Sequence, residues 1–192
     1  MQPLVSIGVP IYNPGLRLSS LIEKINNQTY KNIEIIISDN GSSDGIIKKN
    51  YSQITRKKNI KVYQSDINRG SIWNFNKVYK ESKGKYFCWF AIDDDRDNDF
   101  ISECVDYLEK NLDVVLCHCI TNVILEDSNE TIASNSMGTF EKKNTILERY
   151  KETLINFPAT SIYGMYRSKI LRKTSLFQKL KSGLYENTRK HH

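Results

Sequence analysis

Short apolar runs and helical stripes take turns along the first half of this chain. Val5-Ser6-Ile7-Gly8-Val9 reads as a short strand closed by Pro10, and Ile11-Tyr12-Asn13-Pro14-Gly15 as a loop by its turn residues. Leu18, Leu21, Ile22 and Ile25 recur at helical spacing and predict an amphipathic helix. Glu34-Ile35-Ile36-Ile37-Ser38 is a continuous apolar run, the pattern of a central parallel strand buried on both faces. It ends in the turn Asp39-Asn40-Gly41-Ser42-Ser43-Asp44, where Asp44 is placed to cap a helix with an inner face of Ile47, Tyr51 and Ile54. Ile60-Lys61-Val62-Tyr63 alternates and predicts a strand nearer an edge. After the turn Asn68-Arg69-Gly70, Ile72, Phe75 and Tyr79 mark a third helix, stopped near Gly84. Tyr86 to Ala91 predicts a fourth strand.

Strands and helices alternating through short loops imply an α/β fold, with a mainly parallel sheet flanked by helices on both faces. Farther on, Ile101, Cys104, Val105, Leu108 and Leu112 predict a helix. Val114 to Leu125 predicts a long bent strand, with a hairpin connection through 126–130 to Thr131-Ile132-Ala133. Ile146, Leu147, Tyr150 and Leu154 suggest another helix, Ser161 to Tyr166 a strand, and Ser168 to Leu176 a short helix. Residues 1–176 are expected to form one domain, with 1–98 as its first half, followed by a loose basic tail over 177–192.

The totals narrow the field. With 192 residues, 39% hydrophobic and 26% charged, the chain can build one real core. No apolar run has the length of a membrane span, and the N-terminus shows no signal-peptide pattern, so the cytoplasm is the default expectation. Cys117-His118-Cys119 lacks a second ligand pair at zinc spacing and reads as cysteines flanking one histidine. The formal charge of +6 suits an anionic substrate or a membrane surface, or is simply a solvated basic face. Aromatic residues do not interleave with it in an RNA-module pattern, so a nucleic-acid partner is not expected.

The fourth apolar run stops abruptly in Asp93-Asp94-Asp95. Adjacent carboxylates repel and resist burial, so they belong at an exposed strand end. In an extended chain Asp93 and Asp95 share one side, a hard-oxygen pair suited to Mg²⁺ or Mn²⁺. The plainer reading is an acidic loop leading to a helix, with Asp97 or Asp99 near its positive end. In open parallel sheets, ligands bind beyond the carboxyl ends of the strands. Tyr12 and Asn13 follow the first strand; Asp39, Asn40 and Ser42 the second; Asp66 and Asn68 the third; the triplet the fourth. A polar cluster at every strand end favours a ligand-binding edge.

These segments resemble the family 2 glycosyltransferases, with their GT-A nucleotide-sugar-binding fold. The matching pieces are Val9-Pro10-Ile11-Tyr12-Asn13, Gln28-Thr29-Tyr30 running on to Asp44, Asn68-Arg69-Gly70 with Asn74, and Gly84-Lys85-Tyr86 running into Asp93-Asp94-Asp95. Ile162 to Arg167 resembles a strand that some members carry downstream. The resemblance implies a nucleotide site of Pro10, Tyr12, Asn13, Asp39, Asn40, Asn68, Asn74, Asp93 and Asp94. Within it Tyr12 borders the base and Asp39 accepts the imide N–H of uracil. It also implies that Asp93 and Asp95 hold a divalent metal, Mn²⁺ or Mg²⁺, on the diphosphate. The implied reaction is inverting transfer from a nucleotide-diphosphate sugar, UDP-sugars favoured, to a saccharide or lipid-linked acceptor, with possible peripheral membrane contact.

The chain departs from the pattern in three places. Asn40 stands where members usually carry a second aspartate, the stretch from Asp95 to Phe100 is short, and members usually continue well past this length. An inverting transfer needs a general base, and beyond Gly164 the only acidic residue is Glu186. A domain that binds the nucleotide sugar without turnover is the alternative. A dinucleotide oxidoreductase would need Gly-x-Gly-x-x-Gly after the first strand, and a P-loop nucleotidase its own glycine-rich motif; neither occurs.

Overall fold

The computed structural model describes residues 1–125, 131–135, 145–148, 151 and 159–178. Four parallel strands form its base: β1 (Val5–Ile11), β2 (Ile33–Asp39), β3 (Ile60–Gln64) and β4 (Tyr86–Trp89). Helices α1 (Arg17–Asn27), α2 (Ile46–Thr55) and α3 (Ser71–Lys80) connect them, and α4 (Phe100–Lys110) follows. Two short strands, β5 (Leu116–Cys117) and β6 (Thr121–Ile124), come next, then β7 (Thr131–Asn135). A 3-10 turn over Ala159–Tyr163 leads to β8 (Met165–Arg167) and the one-turn helix α5 (Ser168–Leu171).

The main sheet has the order β3-β2-β1-β4-β8-β5. Its first three pairings are parallel, and β8 lies antiparallel to both β4 and β5. Alternation along the strands decides what each face buries. Val5, Ile7, Val9 and Ile11 of β1 join Ile35 and Ile37 of β2 in one core, against Leu18, Leu21 and Ile25 of α1, Ile47 and Ile54 of α2, and the apolar face of α4. Ile36, Phe87 and Trp89 face the other way, against Val78 and Tyr79 of α3 and Leu171 of α5. Helices thus cover both faces, as the alternating pattern predicts. α3 can come close because β1 presents Gly8 there: a Cβ at that position would lie 2.7 Å from both Val78 Cγ2 and Phe87 Cζ.

Several expectations need correction. Tyr51, Ile72 and Leu112 are exposed, and α3 buries Asn74, Val78 and Tyr79 in place of Ile72. The fourth strand ends at Trp89, and Ile92–Asp93 form a turn, so the triplet is not a strand extension with alternating sides. The stretch 114–125 is not one bent strand. It splits between β5 at the far edge of the main sheet and β6, which pairs with β7 in a separate two-stranded sheet. Of the expected strand over 161–166, the first part is the 3-10 turn and only the end is β8. The short helix ends at Leu171. The loop at 126–130, the residues Tyr150 and Leu154, and the tail from 179 on, Glu186 included, lie outside the described residues.

Candidate functional site

The carboxyl edge of the sheet is built by interlocked loops. Ile11, Asp39 and Gln64 end their strands in register, and β4 stops opposite Gly8. Asn13, at φ 48°, donates its N–H to Ser42 Oγ (2.8 Å) and accepts from Ser43 N–H on Oδ1 (2.8 Å). Asp44 accepts from Gly15 N–H on one oxygen and from Ile46 N–H, at the start of α2, on the other. One carboxylate thus ties the first loop to the start of α2, although the N-cap itself is Gly45, one residue on from the expected Asp44.

Asn40 does the same for the second and third loops. Its Nδ2 donates to Asn68 Oδ1 (2.9 Å) and Gly70 O (3.2 Å), while Oδ1 accepts from Arg69 N–H (2.9 Å). The Arg69 donor settles which end of the amide is oxygen. An ionised aspartate has no proton to offer Asn68 or Gly70, so the asparagine suits this junction. The loops touch closely at Gly41. Its φ is 76°, and a Cβ there would come within 2.6 Å of the Ile67 carbonyl carbon.

Within this rim Asp39 is buried, and its Oδ1 accepts from Ser42 N–H (3.1 Å) and Ser42 O–H (2.5 Å). No donor to Oδ2 occurs among the described residues. Tyr12 is exposed at the end of β1 and Pro10 is half-buried. Asn74 lies behind the strands: it is buried, its Nδ2 donates to Ile11 O (3.0 Å), and its Oδ1 has no partner among the described residues.

The acidic triplet follows at the same edge, and all three aspartates are exposed. Asp95 Oδ2 pairs with Lys24 Nζ of α1 at 2.7 Å. Asp94 is exposed as a residue, but its carboxyl is partly shielded from water, and that desolvation raises its pKa; Arg96 opposes the shift and Asp93 adds to it. Arg96 stands beneath the triplet. Its guanidinium lies 3.9 Å from the Phe90 ring centroid, and its Nη2 donates to Trp89 O (3.1 Å) and Tyr163 O (3.2 Å). It therefore ties the end of β4 to the 3-10 turn before β8. Gln28 staples the far side, donating to Asp97 O and accepting from Ile101 N–H.

Together the strand ends bring Tyr12, Asn13, Asp39, Asn40, Asn68 and the triplet to one edge, while Asn74 supports β1 from behind. Sequence reasoning missed Lys24, Arg96 and the Ser42 clasp on Asp39. Lys24 carries no signal for its role, since Asp95 is 71 residues away. Gln28 was visible only as part of a motif. No group of three or more His, Cys, Asp or Glu side chains able to hold a metal occurs among the described residues. A divalent ion on a diphosphate needs only one or two protein carboxylates, because phosphate oxygens and water fill its shell. The exposed Asp93 and Asp95 fit that requirement.

A family model described as glycosyl transferase family 2 matches residues 6–175. The chain belongs to glycosyl transferase family 2. Relatives agree. An uncharacterised glycosyltransferase of Haemophilus influenzae is 34% identical over 76% of this chain and 45% of its own length. One from Rickettsia prowazekii is 31% identical over 99% of this chain and 56% of its own length. The chain spans about half the length of the curated relatives it matches. Among solved structures, S. aureus TarS 1–349 in complex with UDP has a TM-score of 0.66 at 17% identity, over 88% of this chain and 48% of that 1–349 chain. The mannosyltransferase PcManGT of Pyrobaculum calidifontis, in complex with GDP-Man and Mn²⁺, has a TM-score of 0.57 at 19% identity, over 67% of this chain and 37% of its own. These likenesses establish the GT-A fold for this family 2 chain. No described helix is long and apolar enough to cross a membrane.

Proposed function

We propose that this chain binds a nucleotide-diphosphate sugar, a UDP-sugar by preference, at the carboxyl edge of its sheet and serves its transfer to a saccharide or lipid-linked acceptor. The observation that carries the reading is Asp39. It is a buried carboxylate with one oxygen clasped by Ser42 and the other without a donor among the described residues, inside a rim braced on both sides. Such an acceptor suits the imide N–H of uracil, with the exposed Tyr12 ring beside the base and Asn13 and Pro10 along the same loop. Asn40 and Asn68 hold the rim that the nucleotide enters, and Asn74 fixes the end of β1. Asp94 and Asp93 face the ribose and diphosphate side.

Asp93 and Asp95 would hold a Mn²⁺ or Mg²⁺ ion, which supplies neutralisation of the charge growing on the leaving diphosphate. For Asp95 to serve, its exposed pair with Lys24 must open, and exposed pairs are worth only about 0–1 kcal/mol. An inverting transfer also needs a base within reach of the acceptor hydroxyl, and no acidic residue occurs among the described residues beyond Gly164. The second reading is donor binding without turnover. The net charge of +6 suits an acceptor presented at an anionic membrane surface.

Calorimetric titration of UDP and GDP, with Mn²⁺ and then with EDTA, tests the donor site. The expected result is metal-dependent binding of UDP that is lost in Asp95→Ala. Binding of neither nucleotide in the presence of metal overturns both readings. Turnover of UDP-sugars with saccharide acceptors then separates transferase from binding domain.

A further inference from the structure

The positive charge of the chain is concentrated on one flank. From Gly45 to Ser65 there are six Lys or Arg residues and no Asp or Glu. Lys61 pairs with Glu34. The other five, Lys48, Lys49, Arg56, Lys57 and Lys58, are exposed, and none of them makes an ion pair among the described residues. On α2, Ile47 and Ile54 are buried, while Lys48, Lys49, Ser52, Gln53 and Arg56 are exposed on the opposite face, as helical spacing requires. Lys57 and Lys58 continue that face into the turn before β3.

Helix stability does not account for this placement. Lys48 and Lys49 stand third and fourth in α2, at the positive end of its dipole, where cations are disfavoured. Ser52 and Gln53, four residues on, offer no carboxylate to offset them, and Asp44 commits its oxygens to Gly15 N–H and Ile46 N–H. α3, by contrast, pairs Lys77 with Glu81. The far margin of the same sheet face has the opposite sign. α2 packs against β3, α4 packs against β8 and β5, and both helices cover one core. α4 exposes Glu103, Asp106 and Glu109. The face is therefore polarised, and an extended anionic surface would hold it by the β3 margin.

We propose that the outer face of α2, with Lys57 and Lys58, docks on an anionic lipid bilayer. Tyr51 is the one exposed aromatic residue in the stretch. A single tyrosine suits the headgroup level of a bilayer, whereas a nucleic-acid strand is held by successive stacking rings. The turn over 39–44 runs through Gly45 into α2, so the bilayer would stand beside the donor edge. The proposal gives a surface to the membrane-presented acceptor of the proposed function and rests on that reading for its use.

Flotation of the full chain with vesicles of phosphatidylcholine and phosphatidylglycerol, and with phosphatidylcholine alone, tests it. The expected outcome is binding to the anionic vesicles only, released in about 1 M salt, where screening shortens to about 3 Å. Each cation near such a surface strengthens binding on the order of fivefold. Lys48→Gln, Lys49→Gln, Arg56→Gln, Lys57→Gln and Lys58→Gln together should therefore weaken it at least about hundredfold, without lowering the melting temperature. Lys80→Gln, Lys83→Gln, Lys110→Gln, Lys169→Gln and Lys173→Gln remove the same charge from other exposed positions and should weaken it far less. No binding to the anionic vesicles, equal loss in the two variants, or a tighter hold on double-stranded DNA than on the vesicles at the same salt would each overturn the assignment. Flotation needs no nucleotide and the UDP titration no lipid, so failure of this inference is told apart from failure of the donor-site reading.

Discussion

The two ends of the same parallel sheet treat their carboxylates in opposite ways. At the amino end, Glu34 is buried at the start of strand β2 with both carboxylate oxygens engaged. Oε1 accepts from Ser6 O–H (2.6 Å) and Lys83 N–H (2.7 Å), and Oε2 pairs with Lys61 (2.8 Å). Ser6 in turn accepts from Gly84 N–H at 2.7 Å. At the carboxyl end, Asp93, Asp94 and Asp95 are exposed, adjacent and served by one lysine and one arginine. The titration shifts differ accordingly. Burial raises Glu34, but the bonds from Lys61, Ser6 and Lys83 outweigh it and hold its pKa below the ordinary value. Asp94 is raised. One end is saturated and holds the fold together; the other keeps acceptor capacity for something cationic.

Glu34→Ala should break this contrast most severely. It strands Ser6, Lys83 N–H and Lys61, and the expected loss is about 3 kcal/mol in urea unfolding, because buried donors lose their acceptor. UDP affinity of the folded fraction should not change. The pH dependence follows from the sign of the shift. A folded pKa below the unfolded one gives stability that is present above the unfolded value and is lost as pH falls through the folded value. Wild type should therefore lose stability in acid faster than Glu34→Gln, measured by thermal unfolding between neutral pH and strong acid.

Asp95→Asn should do the reverse. Melting should shift little, since the Lys24 pair is exposed, while Mn²⁺-dependent UDP affinity should fall at least about tenfold, or roughly 1.4 kcal/mol. Asn40→Ala tests the rim between these extremes: removal of three hydrogen bonds should cost about 1–2 kcal/mol of stability and weaken UDP as well. Asn40→Asp should be no milder, because an ionised carboxylate cannot donate to Asn68 or Gly70. The smallest effect is expected from Asp94→Asn. Removing a carboxylate whose ionised form the fold disfavours should raise the melting point slightly at neutral pH. The gain should be less than about 1 kcal/mol after solvent screening. A fall in stability would mean that Arg96 needs Asp94 as a counter-charge.

The ends of the first strands were readable because their signals are local, whereas the Glu34 network joins residues 27–49 positions apart and was not. Ile35 to Ile37 could only be a strand buried on both faces, and turn residues at 39–44 and 68–70 marked where the chain leaves the sheet. What escaped was long-range. Nothing near Ile72 says that Asn74 will be buried in its place, because that depends on Ile11 O needing a donor. The stretch 114–125 carries apolar residues throughout, yet Val123, Ile124 and Leu125 are exposed, so periodicity had no buried face to report. β8 is three residues long, and its antiparallel place between β4 and β5 follows from pairing partners far away in sequence. The roles of Lys24 and Arg96 likewise arise only when α1 and the 3-10 turn are brought to the triplet.

The double clasp of Asn40 has a thermodynamic consequence. The three loops around the donor edge are already tied to one another before any ligand arrives, so little ordering remains to be done upon association. Nucleotide capture should then show a small negative heat-capacity change, matching only the surface the nucleotide covers, without the larger signature of a segment that folds around it. Loosening that clasp should move the signature towards coupled folding, turning a pre-set socket into one that must assemble itself each time.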